Sequence, residues 1–127
     1  MRYLGIDFGT KRVGLALSDE SGSMAFPHEV LQSSDTLVKE VAALCEREQV
    51  GEVVIGHSLD RSGNPNAIHA KVEEFIADLT LESGLPIHLV PEQYTTQAAL
   101  RLQGRTEKTD AAAAALILDS YLTTHDH

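Results

Sequence analysis

Asp7 stands inside an otherwise apolar run, Leu4-Gly5-Ile6-Asp7-Phe8-Gly9, and a carboxylate in such a place needs a partner to offset its loss of water. The next residues along the chain could supply chemistry. Gly9 has no side chain to keep a phosphate or a metal ion from the backbone, and Thr10, Lys11 and Arg12 bring donors to the turn. An aspartate here could equally satisfy the amides of its own turn. Taken alone, the residue does not separate these readings. Asp110, just before an alanine-rich run, could be an acid whose ionised form the helix N-terminus favours, but taken alone it reads as a simple helix cap.

The elements that must position these acids can be read from periodicity. Arg2 to Phe8 reads as a strand, Gly9 to Arg12 as a tight turn and Val13 to Ser18 as a second strand, together a hairpin. After the turn at residues 19–23 a weaker strand runs from Met24 to Leu31, and Pro27 places it at a sheet edge because proline cannot donate to a ladder. Ser33, Ser34 and Asp35 can cap a first helix, in which Leu37, Val38, Val41, Leu44 and Cys45 recur at helical spacing through Glu48. The β-branched run Glu52 to Gly56 is expected at the centre of the sheet, buried on both faces. Asn64-Pro65 opens a second helix with Ile68, Val72, Phe75, Ile76 and Leu79 in one stripe, ended by Gly84 and Pro86. Ile87 to Val90 gives a fifth strand, a short helix comes next from Thr95 or Thr96 to near Gly104, and Asp110 opens the last helix. The small side chains of Ala111 to Ala115 allow that helix to pack closely. The order predicts an α/β fold: a mixed five-stranded sheet, three antiparallel strands and then crossover-connected ones, with helices on both faces. At 127 residues the chain is expected to form a single domain, 1–127.

Four segments, LGIDFGTKRVGLALSD, VVIGHSLDRSGN, PEQYTTQAA and TDAAAAALILDSYL, resemble in order the motifs of the YqgF (RuvX-like) family of ribonuclease-H-like proteins, over residues 4–122. The resemblance implies a ribonuclease-H-like fold and a hydrolase acting on phosphodiesters, in which Asp7, Glu92 and Asp110 are both the catalytic residues and the ligands of Mg²⁺ or Mn²⁺. Those ions take oxygen ligands, and a pair of them roughly 3.5–4 Å apart can activate water and stabilise the leaving oxygen. Substrate contacts are expected from Thr10, Lys11, Arg12, Thr95, Thr96 and Arg105. The third motif of the family reads D-E-R-x-T-T; this chain has Pro91 and Gln93 in place of the aspartate and the arginine. His57-Ser58-Leu59-Asp60 likewise replaces the family's L-P-L-N.

The resemblance offers two substrates. Trimming of the 5′ end of precursor 16S ribosomal RNA, a step of ribosome biogenesis, is favoured over resolution of Holliday junctions in branched DNA. A third reading is a weakened nucleic-acid or nucleotide-binding protein, since Asp7-Phe8-Gly9-Thr10 also resembles the first phosphate loop of actin-like and sugar-kinase-like proteins. The net charge of −9 runs against broad attraction to phosphates, but Lys11, Arg12, Arg101, Arg105 and Lys108 lie near the acidic motifs and could form a local basic rim. His28, His57, His69, His88, His125 and His127 lack a transition-metal ligand spacing and are expected at the solvated surface. The lone Cys45 is expected to act as core filler. Without an apolar run long enough for a bilayer or a signal-peptide pattern, the expectation is a cytoplasmic protein, a monomer or weak homodimer, with no membrane partner.

Overall fold

A computed structural model describes residues 1–9, 11–57, 66–90 and 107–124, with residues 57, 66–69, 107–110 and 124 described by backbone alone. The elements in chain order are β1 (Arg2–Phe8), β2 (Arg12–Ser18), β3 (Ala25–Gln32), α1 (Leu37–Arg47), β4 (Val50–His57), α2 (Asn66–Ser83), β5 (Ile87–Leu89) and α3 (Glu107–Thr124). They form one five-stranded sheet in the order β3-β2-β1-β4-β5. β1 and β2 pair antiparallel, as do β2 and β3, whereas β4 runs parallel to both β1 and β5. This is the mixed sheet that the sequence predicts, with Pro27 on the edge strand β3 beside a register shift at Leu15/Ala16.

The centre of the sheet differs from expectation. β1 holds the middle place and β4 is its interior neighbour, because the opening hairpin adds strands on one side of β1 and the crossovers add them on the other. Smaller shifts occur at element ends. Thr36, not Ser33, Ser34 or Asp35, precedes α1, and its side chain makes no capping bond; its hydroxyl donates to Glu40 Oε2 at 3.1 Å instead. β5 stops at Leu89, yet the Val90 N–H still donates to the Ile55 carbonyl at 2.8 Å, so the ladder runs one residue further. Gly84, at φ 71°, takes the left-handed conformation that ends α2. α3 begins at Glu107, three residues before Asp110. The aspartate therefore lies within the first turn and is not the cap. The short helix expected at residues 95–104 and the cap at Asn64-Pro65 lie outside the described residues.

Alternation along the strands divides the interior in two. Leu4, Ile6 and Phe8 of β1, with Val53 and Ile55 of β4, face Val41, Leu44 and Cys45 of α1 and Val72, Phe75 and Leu79 of α2. Tyr3 of β1, Ala16 of β2 and Val54 of β4 face Ala114, Ile117, Leu118, Tyr121 and Leu122 of α3. Helices thus cover both faces, and each fully buried Leu, Ile, Val or Phe contributes about 1.5–3 kcal/mol. Among the described residues no helix is long and apolar enough to cross a membrane.

Candidate active site

Asp7 is the next-to-last residue of β1, and its side chain is 1% exposed. It shares its face with Tyr3 and Gly5, so it belongs to the side covered by α3. Its lateral neighbours in the sheet are Gly14 on β2 and Gly56 on β4. Cross-strand neighbours on one face ordinarily crowd each other with side chains about 4.5–5.5 Å apart. Here both positions are bare, so the sheet itself leaves the flanks of the carboxylate clear. Over Gly56 the space is taken by Ile117, whose Cδ1 would lie 3.0 Å from an added Cβ.

The helix above runs antiparallel to β1. Tyr3 meets Tyr121, with ring centroids 6.1 Å apart, and Gly5 lies beneath Leu118 and Ala114. A two-residue step along a strand is about 6.7 Å, the rise of four or five helical residues at about 1.5 Å each. The same step beyond Gly5 reaches Asp7 on the strand, and beyond Ala114 it reaches the first turn of α3, where Asp110 sits. Sheet and helix therefore bring Asp7 and the backbone of the first helical turn, in which Asp110 falls, toward one end of one face. Parallel pairing places the carboxyl ends of β1, β4 and β5 together there, and Glu92 comes three residues after Leu89.

The remaining expected site residues distribute unevenly. Lys11 is exposed just past the carboxyl end of β1, where the Ser33 N–H donates to its carbonyl at 2.9 Å, and Arg12, the first residue of β2, is half-buried. Thr10, Glu92, Thr95, Thr96 and Arg105 lie outside the described residues, as does the side chain of Asp110. Among the described residues no three His, Cys, Asp or Glu side chains converge as a metal site, since only Asp7 of the expected three has a described side chain. Gly14 and Gly56, the strand neighbours of Asp7, were not singled out by sequence reasoning. The signal for Gly14 was available, because a hairpin turning through residues 9–12 puts it opposite Asp7.

Away from this end, Cys45 is buried on the α1 side of the sheet, and burial pushes its thiol up to about 11, which suits packing and not catalysis. His88 is only half-exposed, in contrast to the solvated surface expected of it. Its ring stacks on Tyr121 at 5.4 Å, and its Nε2 lies 3.6 Å from Glu52 Oε2. Burial and the nearby Glu52 carboxylate raise the Tyr3 and Tyr121 hydroxyls above their ordinary range.

Two solved structures share this architecture. One is T. thermophilus RuvC in complex with a Holliday junction substrate, at TM-score 0.63 and 17% identity, covering 98% of this chain and 94% of that one. The other is the Fowlpox virus resolvase with Holliday junction DNA, at TM-score 0.62 and 15% identity, covering 98% of each chain. At such identities the likeness establishes the fold, which is ribonuclease-H-like, the class to which the opening hairpin, parallel extension and buried strand aspartate point. In sequence, a protein named "Putative pre-16S rRNA nuclease" from Maridesulfovibrio salexigens is 39% identical over 96% of this chain and 98% of its own length. One of the same name from Oleidesulfovibrio alaskensis is 36% identical over 96% and 92%. The sequence model of the RuvX family, described as Holliday junction resolvase, matches residues 1–124. The chain belongs to the RuvX family, and it is a nuclease of ribonuclease-H-like fold.

Proposed function

We propose that this protein is a divalent-metal-dependent nuclease that trims precursor 16S ribosomal RNA, with Asp7, Glu92 and Asp110 as its catalytic carboxylates. The observation that carries the reading is the place of Asp7: a carboxylate buried on the middle strand, flanked by Gly14 and Gly56, on the face covered by the helix that bears Asp110. Carboxylate oxygens are the donors that Mg²⁺ and Mn²⁺ prefer, and neither strand neighbour of Asp7 sets a side chain beside its carboxylate. When bound, such an ion supplies an activated water and neutralises charge on the scissile phosphate.

The chain's own residues then have distinct tasks. Asp7, fixed by strand pairing on both sides, is the rigid member of the set. Asp110 arrives on a helix whose N-terminal partial charge favours its ionised form. Glu92 comes soon enough after β5 to join them, since three residues of extended chain reach about 10 Å. Lys11 and Arg12, with Thr10, Thr95, Thr96 and Arg105, hold the phosphate backbone by charge-assisted bonds and offset an overall charge of −9 near the cleft.

The RNA substrate is favoured by the relatives' names, which come with 36–39% identity over most of each chain. A second reading, branched DNA, is favoured by the family's description and by the Holliday junctions in both structural relatives. The deciding experiment gives purified protein a precursor 16S 5′ leader and a four-way DNA junction in parallel, each with and without Mn²⁺, and with Asp7→Asn as control. Metal-dependent cleavage of the leader but not the junction supports the proposal; the reverse pattern replaces the substrate, and cleavage by Asp7→Asn removes the site.

A further inference from the structure

α3 does not simply lie on the sheet; at one place it is let into it. A Cβ on Gly5 would stand 2.7 Å from the Cβ of Leu118 and 2.9 Å from the carbonyl oxygen of Ala114. Neither atom is the loose end of a side chain. One is bonded directly to the helix backbone and the other belongs to it, so a methyl group at residue 5 can be admitted only by moving the helix or the strand. Gly56 is different, because there the added atom would meet the tip of Ile117, at 3.0 Å from Cδ1, which can turn away.

We propose that Gly5 is a positioning residue of the nuclease site: the bare place it leaves on β1 seats α3, and the depth of that seat sets the separation between Asp7 and the helical turn that carries Asp110. This rests on the reading that Asp7 and Asp110 share a metal. Gly5 is two residues from Asp7 on the same strand face, and Ala114 is one turn from Asp110 on the same helix, so a displacement at the seat is carried to the acids. Bringing the Leu118 contact from 2.7 Å to an ordinary 3.4 Å lifts the helix by about 0.7 Å. Catalytic groups must be held within about 0.5 Å, and a misplacement of about 1 Å costs on the order of 10²-fold in rate. The expected loss is therefore one of geometry, with both carboxylates still present.

The test compares wild type, Gly5→Ala, Val41→Ala and Asp7→Asn in the full chain. Val41 is buried on the opposite face, so its truncation weakens the fold while leaving the seat of α3 alone. Mn²⁺ binding is measured by electron paramagnetic resonance titration, alongside cleavage rates and thermal melts. Gly5→Ala is expected to need at least about tenfold more Mn²⁺ for half-saturation and to cleave on the order of 10²-fold more slowly. Val41→Ala, although its melting temperature also falls, is expected to bind Mn²⁺ as wild type does. Wild-type Mn²⁺ binding by Gly5→Ala overturns the proposal, and so does an equal loss in Val41→Ala, which would make the effect a general loosening. Asp7→Asn separates the two levels of argument: if it binds Mn²⁺ normally the shared site itself fails, and if it alone loses binding only the role of Gly5 fails. Should Gly5→Ala not fold, Leu118→Ile adds a branch at the Cβ that lies against Gly5, and unchanged Mn²⁺ binding there overturns the proposal as well.

Discussion

Replacing Asp7 by Asn keeps the shape of the side chain and removes its charge, at a position that is 1% exposed and flanked by two glycines. No cavity opens and no neighbour must move, so the effects separate by whether metal is present. Without metal, the wild-type carboxylate bears a larger cost of leaving water than the amide, set against the interactions its charge makes in the fold, and the variant should melt close to the wild-type temperature. With Mn²⁺ at about 100 times its dissociation constant, the wild type gains about 2.7 kcal/mol from binding. For a chain of 127 residues, with each kcal/mol worth roughly 4 °C, that is a rise of about 10 °C. Asp7→Asn should show almost none of it and should not cleave. Differential scanning calorimetry of both proteins, with chelator and then with Mn²⁺, measures the thermal quantities, and the leader assay measures cleavage. A full metal-induced rise in the variant would refute Asp7 as a ligand. A fall of more than about 1 kcal/mol without metal would instead show that the carboxylate supports the fold, and that the turn-stabilising reading of this residue is the correct one.

Gln93→Arg should raise substrate affinity and make it more sensitive to salt, since each additional phosphate neutralised steepens the dependence; binding titrations at several salt concentrations check this, and parallel slopes would count against it. Pro91→Asp should act through metal, lowering the Mn²⁺ concentration for half-maximal cleavage by adding a carboxylate beside Glu92. Cys45 should resist thiol reagents until the protein unfolds. Because burial raises its folded value from 9.0 to about 11, the stability it contributes is complete below pH 9 and lost as pH rises toward 11, and Cys45→Ala should flatten that part of an alkaline melting series. Asp19 behaves oppositely: bonds from the Ser23 and Met24 amides and the Ser21 hydroxyl lower its value, so its contribution is present above about pH 3.8 and lost on acidification. Asp19→Ala should remove that acid dependence from melts taken between about pH 2 and 5, and an unchanged profile would discount the turn as its source.

Strand identity was legible because it depends on local pattern. The hairpin, the edge strand marked by Pro27 and the stripe of α2 all come from residues close in sequence. Neighbour relations depend on the whole sheet. A short β-branched run at β4 implies burial on both faces but does not say that β1 lies further inside, since that depends on how many strands each connection adds. At α3 the aspartate before the alanine run has the look of a cap, whereas Glu107 and Lys108 are themselves good helix formers and carry the helix back past it. Asp7 could be found as a charge in an apolar run. Its bare flanks depend on cross-strand register, and the role of Gly5 depends on which helix crosses it, neither of which a linear pattern states.

The joining of β1 to α3 also governs when the enzyme can exist. Asp7 and Asp110 are about a hundred residues apart, and closing a loop of that length costs on the order of 4 kcal/mol in chain entropy before any contact offsets it. β1 leaves the ribosome early and finds its hairpin partner at once, but the face on which Asp7 lies stays uncovered until Ala114, Ile117 and Leu118 have been made. Release of α3 from a finished molecule would undo the same joint, separating the acids while leaving the α1 and α2 side of the core intact. On this reading a nascent or partly opened chain displays Asp7 without Asp110 and has no cutting centre.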